Sequence, residues 1–551
     1  MSGRSLGHRA PILWLVIPLM VGLSIGKCLP TISLPICLSL ALFFAVLAVV
    51  LGFRDAPGFT PVLCLALGFA GVASYALHRA RLTVWDNLPA REASLHLRID
   101  RIFAQHDTRK ASGLATIVAS PDPMADLVGQ RIYFSLTTAK STPAPIRSSV
   151  ISTVGVLIAL PRNPPTTTFD GYLANSGINF RLNRGRVIAE VAPASSYYRF
   201  CARQAARLAK ILGWGVDRKR PDLVGVLRAM MLGQQNELSD EQITQYRQTG
   251  TMHVFSISGL HIAVIATGLH ALLLLLRAPR LLRYAIELTA LWLYVDITGA
   301  APSAIRAFVM VAVVETALAF RLPRNPLSAL ATSALIILVF DPLQLFSASF
   351  QMSYAIVAAL LLLGLPLADA WQSRLALFQH LPPVTWGWHR RVIDSAWRGL
   401  LSASAIGVAA SLVSALTGVL FFNLITPGAF LANLWLIPAS TVVIYMGTLS
   451  LLFGLAHFTA GVVLANHAAL VVLDLIERAI HVTVKIPSMW FAAQFRTPWL
   501  GPITLGALLV LVIAGYAKKW EGLNRGFWIP FAWVSLVLVC GVTYGIPIEN
   551  H

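Results

Sequence analysis

Residues 427–455 read PGAFLANLWLIPASTVVIYMGTLSLLFGL, and this run of 29 positions contains no charged side chain. A helix of about 20 apolar residues crosses the hydrocarbon core of a bilayer. The run is therefore long enough to span a membrane as one tilted or broken helix. The whole chain shares this character, because 56% of its 551 residues are hydrophobic, 12% are charged and the mean hydropathy is +0.70. Soluble domains carry about 25% charged residues, so this composition excludes a disordered chain, a disulfide-rich scaffold and a cytosolic multidomain enzyme.

Apolar runs of similar length lie on both sides of this one. We predict a polytopic all-α membrane protein with about 11–13 transmembrane helices and an inserted extracytoplasmic β-barrel. The expected spans cover residues 10–28, 32–52, 60–78, 253–275, 281–299, 302–320, 326–340, 346–366, 397–421, 427–455, 459–484, 500–517 and 527–546.

Residues 80–192 have a different pattern. Within residues 95–100, LHLRID, apolar and polar side chains alternate, which is typical of a half-buried strand. Similar runs separated by Gly, Pro and Ser occur near residues 113–120, 129–138, 150–160 and 178–191. Five strands in about a hundred residues predict a small barrel of the OB type.

A segment from Ser195 to Trp214 follows, with apolar and basic residues at helical spacing. It is typical of an amphipathic helix lying on a membrane surface. The predicted division of the chain is N-terminal helices (1–79), β domain (80–192), surface and linking helices (193–250), transmembrane core (251–455) and C-terminal transmembrane helices (456–551).

Positive charge is concentrated next to the first spans. The chain carries a net charge of +19, and the stretch from Arg79 to Pro221 contributes +12 of it, with 21 basic minus 9 acidic residues. Such a region suits an anionic membrane surface or a polyanion such as nucleic acid. Short loops rich in Lys and Arg, such as residues 277–283, alternate with nearly uncharged ones such as residues 299–302. Since basic loops stay in the cytoplasm, we expect a cytoplasmic N-terminus and a β domain outside.

Ionisable residues inside predicted spans are costly and are often functional. Glu287 and Asp296 lie on one span, and Arg306 and Glu315 lie on the next. One interpretation is that Asp296 and Arg306 pair to fix the hairpin between the two spans. The alternative is that these groups line a polar pathway.

The stretch from Tyr246 to His261 places two His and two Ser where a span is expected to begin. At helical spacing, His253 and Ser256 share one face, and Ser258 and His261 share another. A Ser–His nucleophilic pair and a helix-packing motif are both open interpretations. A metal site at His253 and His261 is disfavoured, because no carboxylate stands between them.

Several motifs in the same order resemble one family, the ComEC-type competence proteins, which are the DNA-internalisation channels of bacterial transformation. The likeness extends from the first span to about residue 455. The motifs that carry it are Tyr246–Ala263 (YRQTGTMHVFSISGLHIA), Gly299–Met310 (GAAPSAIRAFVM), Asn325–Tyr354 (NPLSALATSALIILVFDPLQLFSASFQMSY), Phe422–Pro438 (FNLITPGAFLANLWLIP) and Asn163–Ile178 (NPPTTTFDGYLANSGI).

The resemblance implies an inner-membrane channel that passes single-stranded DNA into the cytoplasm during natural transformation, with the β domain receiving DNA outside. We expect the path to be formed by Arg247, His253, Ser256, Ser258, Gly259, His261, Arg306, Asp341, Gln351 and Asn433. We expect DNA contacts in the β domain from Arg98, Arg101, Arg109, Lys110, Arg131, Arg181, Arg184 and Arg186. The aromatic residues expected to offer stacking faces there are Phe103, Tyr133, Phe134, Phe169 and Tyr172.

Fuller family members carry a metallo-beta-lactamase-like domain, but this sequence has no His-x-His-x-Asp-His run and no phosphate-binding Gly-x-x-x-x-Gly-Lys loop. We therefore expect a shortened family member without cofactor, metal or enzyme activity of its own. Its expected partners are single-stranded DNA, membrane lipid, a DNA receptor, a separate nuclease, a cytoplasmic motor and a second copy of the chain. An intramembrane serine hydrolase and a transporter of another anionic substrate are the alternatives.

Overall fold

The computed structural model describes residues 11–29, 33–54, 56, 58–80, 89–103, 110–120, 122–138, 144–161, 164–322, 325–378, 386–521 and 526–545. Three helices open the described chain: α1 (Leu13–Cys28), α2 (Leu34–Phe53) and α3 (Phe59–Ala80). Small residues let α1 and α3 approach closely, since a Cβ added at Gly22 would lie 2.0 Å from the Gly68 carbonyl oxygen. This is the packing that small residues permit between membrane helices.

The predicted β domain is a closed five-stranded barrel. Its strands are β1 (Arg91–Phe103), β2 (Lys110–Ala119), β3 (Arg131–Thr137), β4 (Val150–Ala159) and β5 (Phe180–Ala192). They close in the order β1-β2-β3-β5-β4, and β3 pairs with β5 in parallel. The alternating apolar residues Leu95, Leu97 and Ile99 are buried in its core, as the period-2 pattern predicts.

One helix, α4 (Phe169–Asn175), lies between β4 and β5 within the barrel domain. Three helices connect the barrel to the second membrane block: α5 (Ser196–Gly213), α6 (Pro221–Leu232) and α7 (Asp240–Gln248). The expected amphipathic helix is α5. Its apolar residues Leu208, Ile211 and Leu212 belong to the same core cluster as α6. The apolar side of α5 therefore packs against protein.

The second membrane block consists, among the described residues, of ten helices. They are α8 (Gly259–Leu275), α9 (Arg280–Ile297), α10 (Pro302–Ala319), α11 (Pro326–Phe340), α12 (Ala348–Arg374, with a wide turn at Leu360–Gly364), α13 (Trp388–Phe422), α14 (Ala429–Leu455), α15 (Thr459–Val484), α16 (Leu500–Ala517) and α17 (Trp528–Gly541). Counting both blocks, eight helices in the described part of the chain are long and apolar enough to cross a membrane, and four shorter apolar helices accompany them. The protein is a multi-pass membrane protein with an inserted barrel.

The starts of two helices differ most from the sequence-based expectation. The span expected at residue 253 begins at Gly259, because Ser258 is extended and acts as the N-cap of α8. The span expected at 397–421 begins earlier, at Trp388. The structure also contains a small sheet that the sequence pattern does not predict. It joins the ends of α13, α15 and α17, and its strands are β6 (Leu424–Ile425), β7 (Phe491–Phe495) and β8 (Val542–Tyr544).

Candidate functional site

The barrel meets the helical core at a buried carboxylate. Arg147, in the loop before β4, donates from Nη1 to Asp296 Oδ1 over 2.8 Å, and the Tyr197 hydroxyl donates to Asp296 Oδ2 over 2.8 Å. The Asp296 side chain is 3% exposed. Burial and this carboxylate raise the pKa of the Tyr197 phenol above its ordinary value. Asp296 thus joins the barrel, α5 and the end of α9.

The expectation that Asp296 pairs with Arg306 is wrong. Asp296 is satisfied by Arg147 and Tyr197, whereas Arg306 donates from Nη2 to the Ser349 carbonyl oxygen over 2.8 Å and also to the Ser349 hydroxyl. Arg306 is 2% exposed, and its Nε and Nη1 have no hydrogen-bond partner among the described residues. Unpaired buried donors are costly, so these two nitrogens of Arg306 are available to bind another acceptor.

The segment between α7 and α8 is a chain of turns. Gly250 has a φ of +68°, and a Cβ there would lie 2.8 Å from Ala429 Cβ and from Thr426 Oγ1, so the segment packs on the start of α14. The exposed His253 has Nδ1 3.1 Å from the Gly250 carbonyl oxygen, and Ser256 Oγ donates to the His253 carbonyl oxygen over 3.4 Å. His253 and Ser256 therefore share no helical face, and that expectation is wrong.

Ser258 and His261 do come together. Ser258 Oγ lies 2.9 Å from His261 Nδ1, and the Ser258 backbone N–H donates to the same nitrogen over 3.3 Å. The bond from the Ser258 backbone N–H to the His261 ring is one half of a capping box at the start of α8, and such a box satisfies backbone donors that a helix end leaves free. His261 is fully buried, and its Nε2 has no partner in the described chain.

Helix α10 connects this segment with Arg306. Ser303 Oγ donates to the Ile257 carbonyl oxygen over 2.8 Å, and Gly259 lies opposite Ala307. On α10, residues 303 and 307 face the start of α8, and Arg306 turns toward α12. The structure therefore places the 257–261 segment and Arg306 on two sides of one helix.

The remaining expected path residues are spread more widely. Asp341 Oδ2 accepts a hydrogen bond from Gln344 over 2.9 Å, and Gln351 Nε2 donates to the Leu345 carbonyl oxygen over 3.0 Å, so both stabilise the turn between α11 and α12. Arg247 is exposed at the end of α7. Asn433 lies on α14 with its Oδ1 buried and without a partner among the described residues.

The basic residues of the barrel fall into two groups, and Arg109 lies outside the described residues. Arg101 and Arg181 are partly buried, and Arg181 pairs with Asp170 at 2.9 Å. Burial lowers the pKa of Arg101. The exposed group contains Arg98, Lys110, Arg131, Arg184 and Arg186.

Two of the exposed arginines form a row across three strands. Arg98 of β1 lies opposite Thr116 of β2, which lies opposite Arg131 of β3. Asp100 is 3.8 Å from Arg98 and 3.7 Å from Arg131. Contacts of this length between exposed groups are weak, so the row presents its charge to solvent.

Four of the five expected aromatic residues form a cluster beside Arg101. Ring centroids are 6.2 Å apart for Phe103 and Tyr133, 5.0 Å for Tyr133 and Phe169, and 5.9 Å for Phe169 and Tyr172. The Arg101 guanidinium lies 5.1 Å from the Phe103 ring centroid. The fifth, Phe134, is buried in the barrel core, so the stacking role expected of it is wrong.

Comparison with known proteins decides the family. The sequence model of the family described as Competence protein matches residues 230–520, which is more than half of the chain. The chain belongs to the competence protein family. It is similar to ComE operon protein 3 of Bacillus subtilis (34% identity over 142 residues) and to Competence protein ComA of Neisseria gonorrhoeae (30% identity over 223 residues). No solved structure matches it.

These likenesses cover limited shares of each chain. The match to ComE operon protein 3 spans 26% of this family member and 18% of the relative, and the match to ComA spans 38% and 30%. The chain therefore aligns with less than a third of either relative. The matched family region contains α8, α10 and α12, which hold the Ser258–His261 pair and Arg306.

Sequence reasoning missed two residues of the site in this competence-family protein. Arg147 is separated from Asp296 by 149 positions, and Ser349 from Arg306 by 43 positions. No local spacing connects such pairs. A lone arginine before a strand and a serine at a helix start are both ordinary, so only the tertiary structure could assign them.

Proposed function

We propose that this protein passes single-stranded DNA across the bacterial cytoplasmic membrane into the cytoplasm during natural transformation. Membership of the competence family supports this assignment. The structural observation that carries it is Arg306, a buried cation whose Nε and Nη1 have no acceptor among the described residues. A phosphate or sugar oxygen passing between α10 and α12 would accept these hydrogen bonds.

The barrel would act first, as the DNA-receiving surface. The Arg98–Arg131 row attracts phosphates at long range, and the aromatic cluster with Phe169 offers faces on which unpaired bases stack. The Arg147–Asp296 pair joins the barrel to the end of α9. DNA bound to the barrel is thereby kept next to the helical core.

The orientation proposed is a barrel outside and an N-terminus in the cytoplasm. The basic loops at residues 277–283 and 518–525 support it, because Lys and Arg in short loops are retained in the cytoplasm. Entry of DNA then needs a driving force and strand separation. We propose that a DNA receptor, a nuclease and a motor protein supply these steps.

The test is cytoplasmic entry of labelled DNA in a competent strain lacking the gene, complemented with variants at matched abundance. We expect the deletion and Arg306→Gln to lose entry while external DNA binding persists. Arg391→Gln removes an exposed arginine at the start of α13 and should leave entry intact. Normal entry in the deletion strain would refute the proposal.

An intramembrane serine hydrolase is the second candidate, and the 2.9 Å contact between Ser258 Oγ and His261 Nδ1 is the observation that favours it. A base within hydrogen-bond reach is what activates a serine. However, His261 Nε2 has no orienting partner among the described residues. A fluorophosphonate probe that labels the wild-type protein but not Ser258→Ala would favour the hydrolase over the channel.

A further inference from the structure

Three ionisable side chains from three different helices meet at the end of the core that faces away from the barrel. His270 lies on α8, Glu287 on α9 and Glu315 on α10. His270 Nδ1 is 3.1 Å from Glu287 Oε2 and 3.9 Å from Glu315 Oε2. One ligand atom from each residue lies within 4.8 Å of the other two. The proposed DNA path uses none of them.

The cluster is incomplete without a further group. Glu287 is fully buried, yet its Oε1 has no hydrogen-bond partner among the described residues. A buried carboxylate oxygen without a partner is strongly disfavoured. A cavity of about 130 Å³, lined by His270, Glu315 and Tyr284 among others, opens beside the cluster. The site therefore has an unsatisfied anion and room for a ligand.

We propose that His270, Glu287 and Glu315 bind a divalent transition-metal ion such as Zn²⁺. Imidazole nitrogen and carboxylate oxygen are ligands that zinc accepts, and three protein ligands leave one position for water. Ligand atoms around a tetrahedral zinc ion at about 2.0–2.2 Å lie about 3.3 Å from one another. His270 Nδ1 is already 3.1 and 3.9 Å from the two carboxylate oxygens, and all three ligand atoms lie within 4.8 Å of one another, so side-chain rotations would bring them to that value.

Positive charge nearby limits the affinity. Arg283 lines the same cavity as Glu315, and its positive charge repels a cation bound there. Replacing Arg283 by Gln should therefore tighten metal binding. The bound ion would fasten α8, α9 and α10 together at the end opposite the Arg147–Asp296 contact, so one helical unit would be fixed at both ends.

The experiment is calorimetric titration of Zn²⁺ into the purified full chain, carried on a tag without histidines. We expect one tight equivalent for the wild type, and at least a tenfold weaker affinity for His270→Ala and for Glu315→Gln, since even outer-shell changes cost about 10–100-fold. His467→Ala is the matched control, because His467 is exposed on α15 and its Nδ1 lies 2.8 Å from the Val463 carbonyl oxygen of the same helix.

Zinc should also raise the melting temperature of the wild type and of His467→Ala, and leave Glu315→Gln unchanged. A wild type that binds no tight equivalent, or variants that bind as the wild type does, would overturn the site. These readouts involve no DNA. Failure of the metal site and failure of the proposed transport function are therefore separate results.

Discussion

Arg147 and Asp296 are 149 residues apart in sequence and 2.8 Å apart in the structure. One belongs to the β-barrel and the other to a helix of the membrane core. The carboxylate is 3% exposed and the guanidinium 31%. Because this ion pair crosses the boundary between the two parts of the chain, it is one of the contacts that hold the barrel against the core, together with the 2.9 Å hydrogen bond from Lys27 Nζ to Asn175 Oδ1.

Arg147→Ala should destabilise the folded protein. It leaves the buried Asp296 carboxylate with the Tyr197 hydroxyl as its remaining side-chain donor among the described residues. Breaking a fully buried ion pair costs about 3–5 kcal/mol, and we expect about 2 kcal/mol here because the arginine is partly exposed. The free energy of unfolding in detergent micelles is the measurement.

The control for this change is Arg98→Ala. Arg98 is 53% exposed and its nearest carboxylate oxygen is 3.8 Å away, so its loss should change stability by less than about 0.5 kcal/mol. Equal losses for the two variants would show that Arg147 has no special contact. In the Arg147→Ala, Asp296→Ala double variant, part of the loss should be recovered.

Ser258→Ala should weaken the start of α8. The Ser258 hydroxyl and the His261 ring form the capping box of this helix, and loss of an N-cap side chain costs about 1 kcal/mol. Ser258→Asn restores an N-cap and should recover most of the melting temperature. Ser256→Ala removes a serine outside the cap and should have no effect. Loss of stability in Ser256→Ala alone would contradict the assignment.

The barrel could be predicted because its determinants are local. Alternation of Leu95, Leu97 and Ile99 with polar neighbours reports a strand directly, and the Gly and Pro breaks separate the strands. The membrane helices follow from long apolar runs for the same reason. Short strands such as Phe491–Phe495 contain too few residues to show an alternation of apolar and polar side chains.

The site is harder to predict, because helical spacing does not describe residues that precede the helix. His253 and Ser256 precede α8, where Gly250 adopts a positive φ. Proximity along the chain predicts a pair between Asp296 and Arg306. In the structure, Asp296 binds Arg147 and Tyr197 and Arg306 binds Ser349, and the sequence of one hairpin does not contain these distant partners.

Gly250→Ala tests whether the segment before α8 is fixed by packing. An added Cβ meets Ala429 and Thr426 at 2.8 Å, and φ is +68°. Gly299 also has a positive φ, +88°, but no atom lies within 4 Å of an added Cβ. Gly299→Ala should therefore lower the free energy of unfolding only by the cost of backbone strain, about 1–2 kcal/mol. Gly250→Ala adds steric overlap to this strain, and its loss should be larger by about 1–3 kcal/mol.

The measurement is the unfolding free energy of both glycine variants under the same conditions. Equal losses would mean that the segment moves freely away from α14. A larger loss for Gly250→Ala would show that the segment is held there, as the short distances from an added Cβ to Thr426 and Ala429 predict.

The aromatic cluster and the arginine row of the barrel should affect DNA binding in different ways. Stacking of a base on an aromatic ring contributes about 1–3 kcal/mol and depends little on salt. Phe169→Ala, which removes a ring that is 45% exposed, should weaken binding of an oligothymidine to the full protein by about 5–100-fold at every salt concentration. Phe53→Ala, which removes an 86% exposed ring from α2, should have no effect.

Removal of Arg98 and Arg131 should instead change the salt dependence. Each phosphate contact on a single strand contributes about 0.7 to the slope of log affinity against log salt, so the double alanine variant should lose about 1.4. Fluorescence anisotropy between about 50 and 200 mM salt measures both quantities. If Phe169→Ala bound the oligonucleotide as the wild type does and the arginine variant kept the wild-type slope, the rings would be barrel packing and the proposed receiving surface would be wrong.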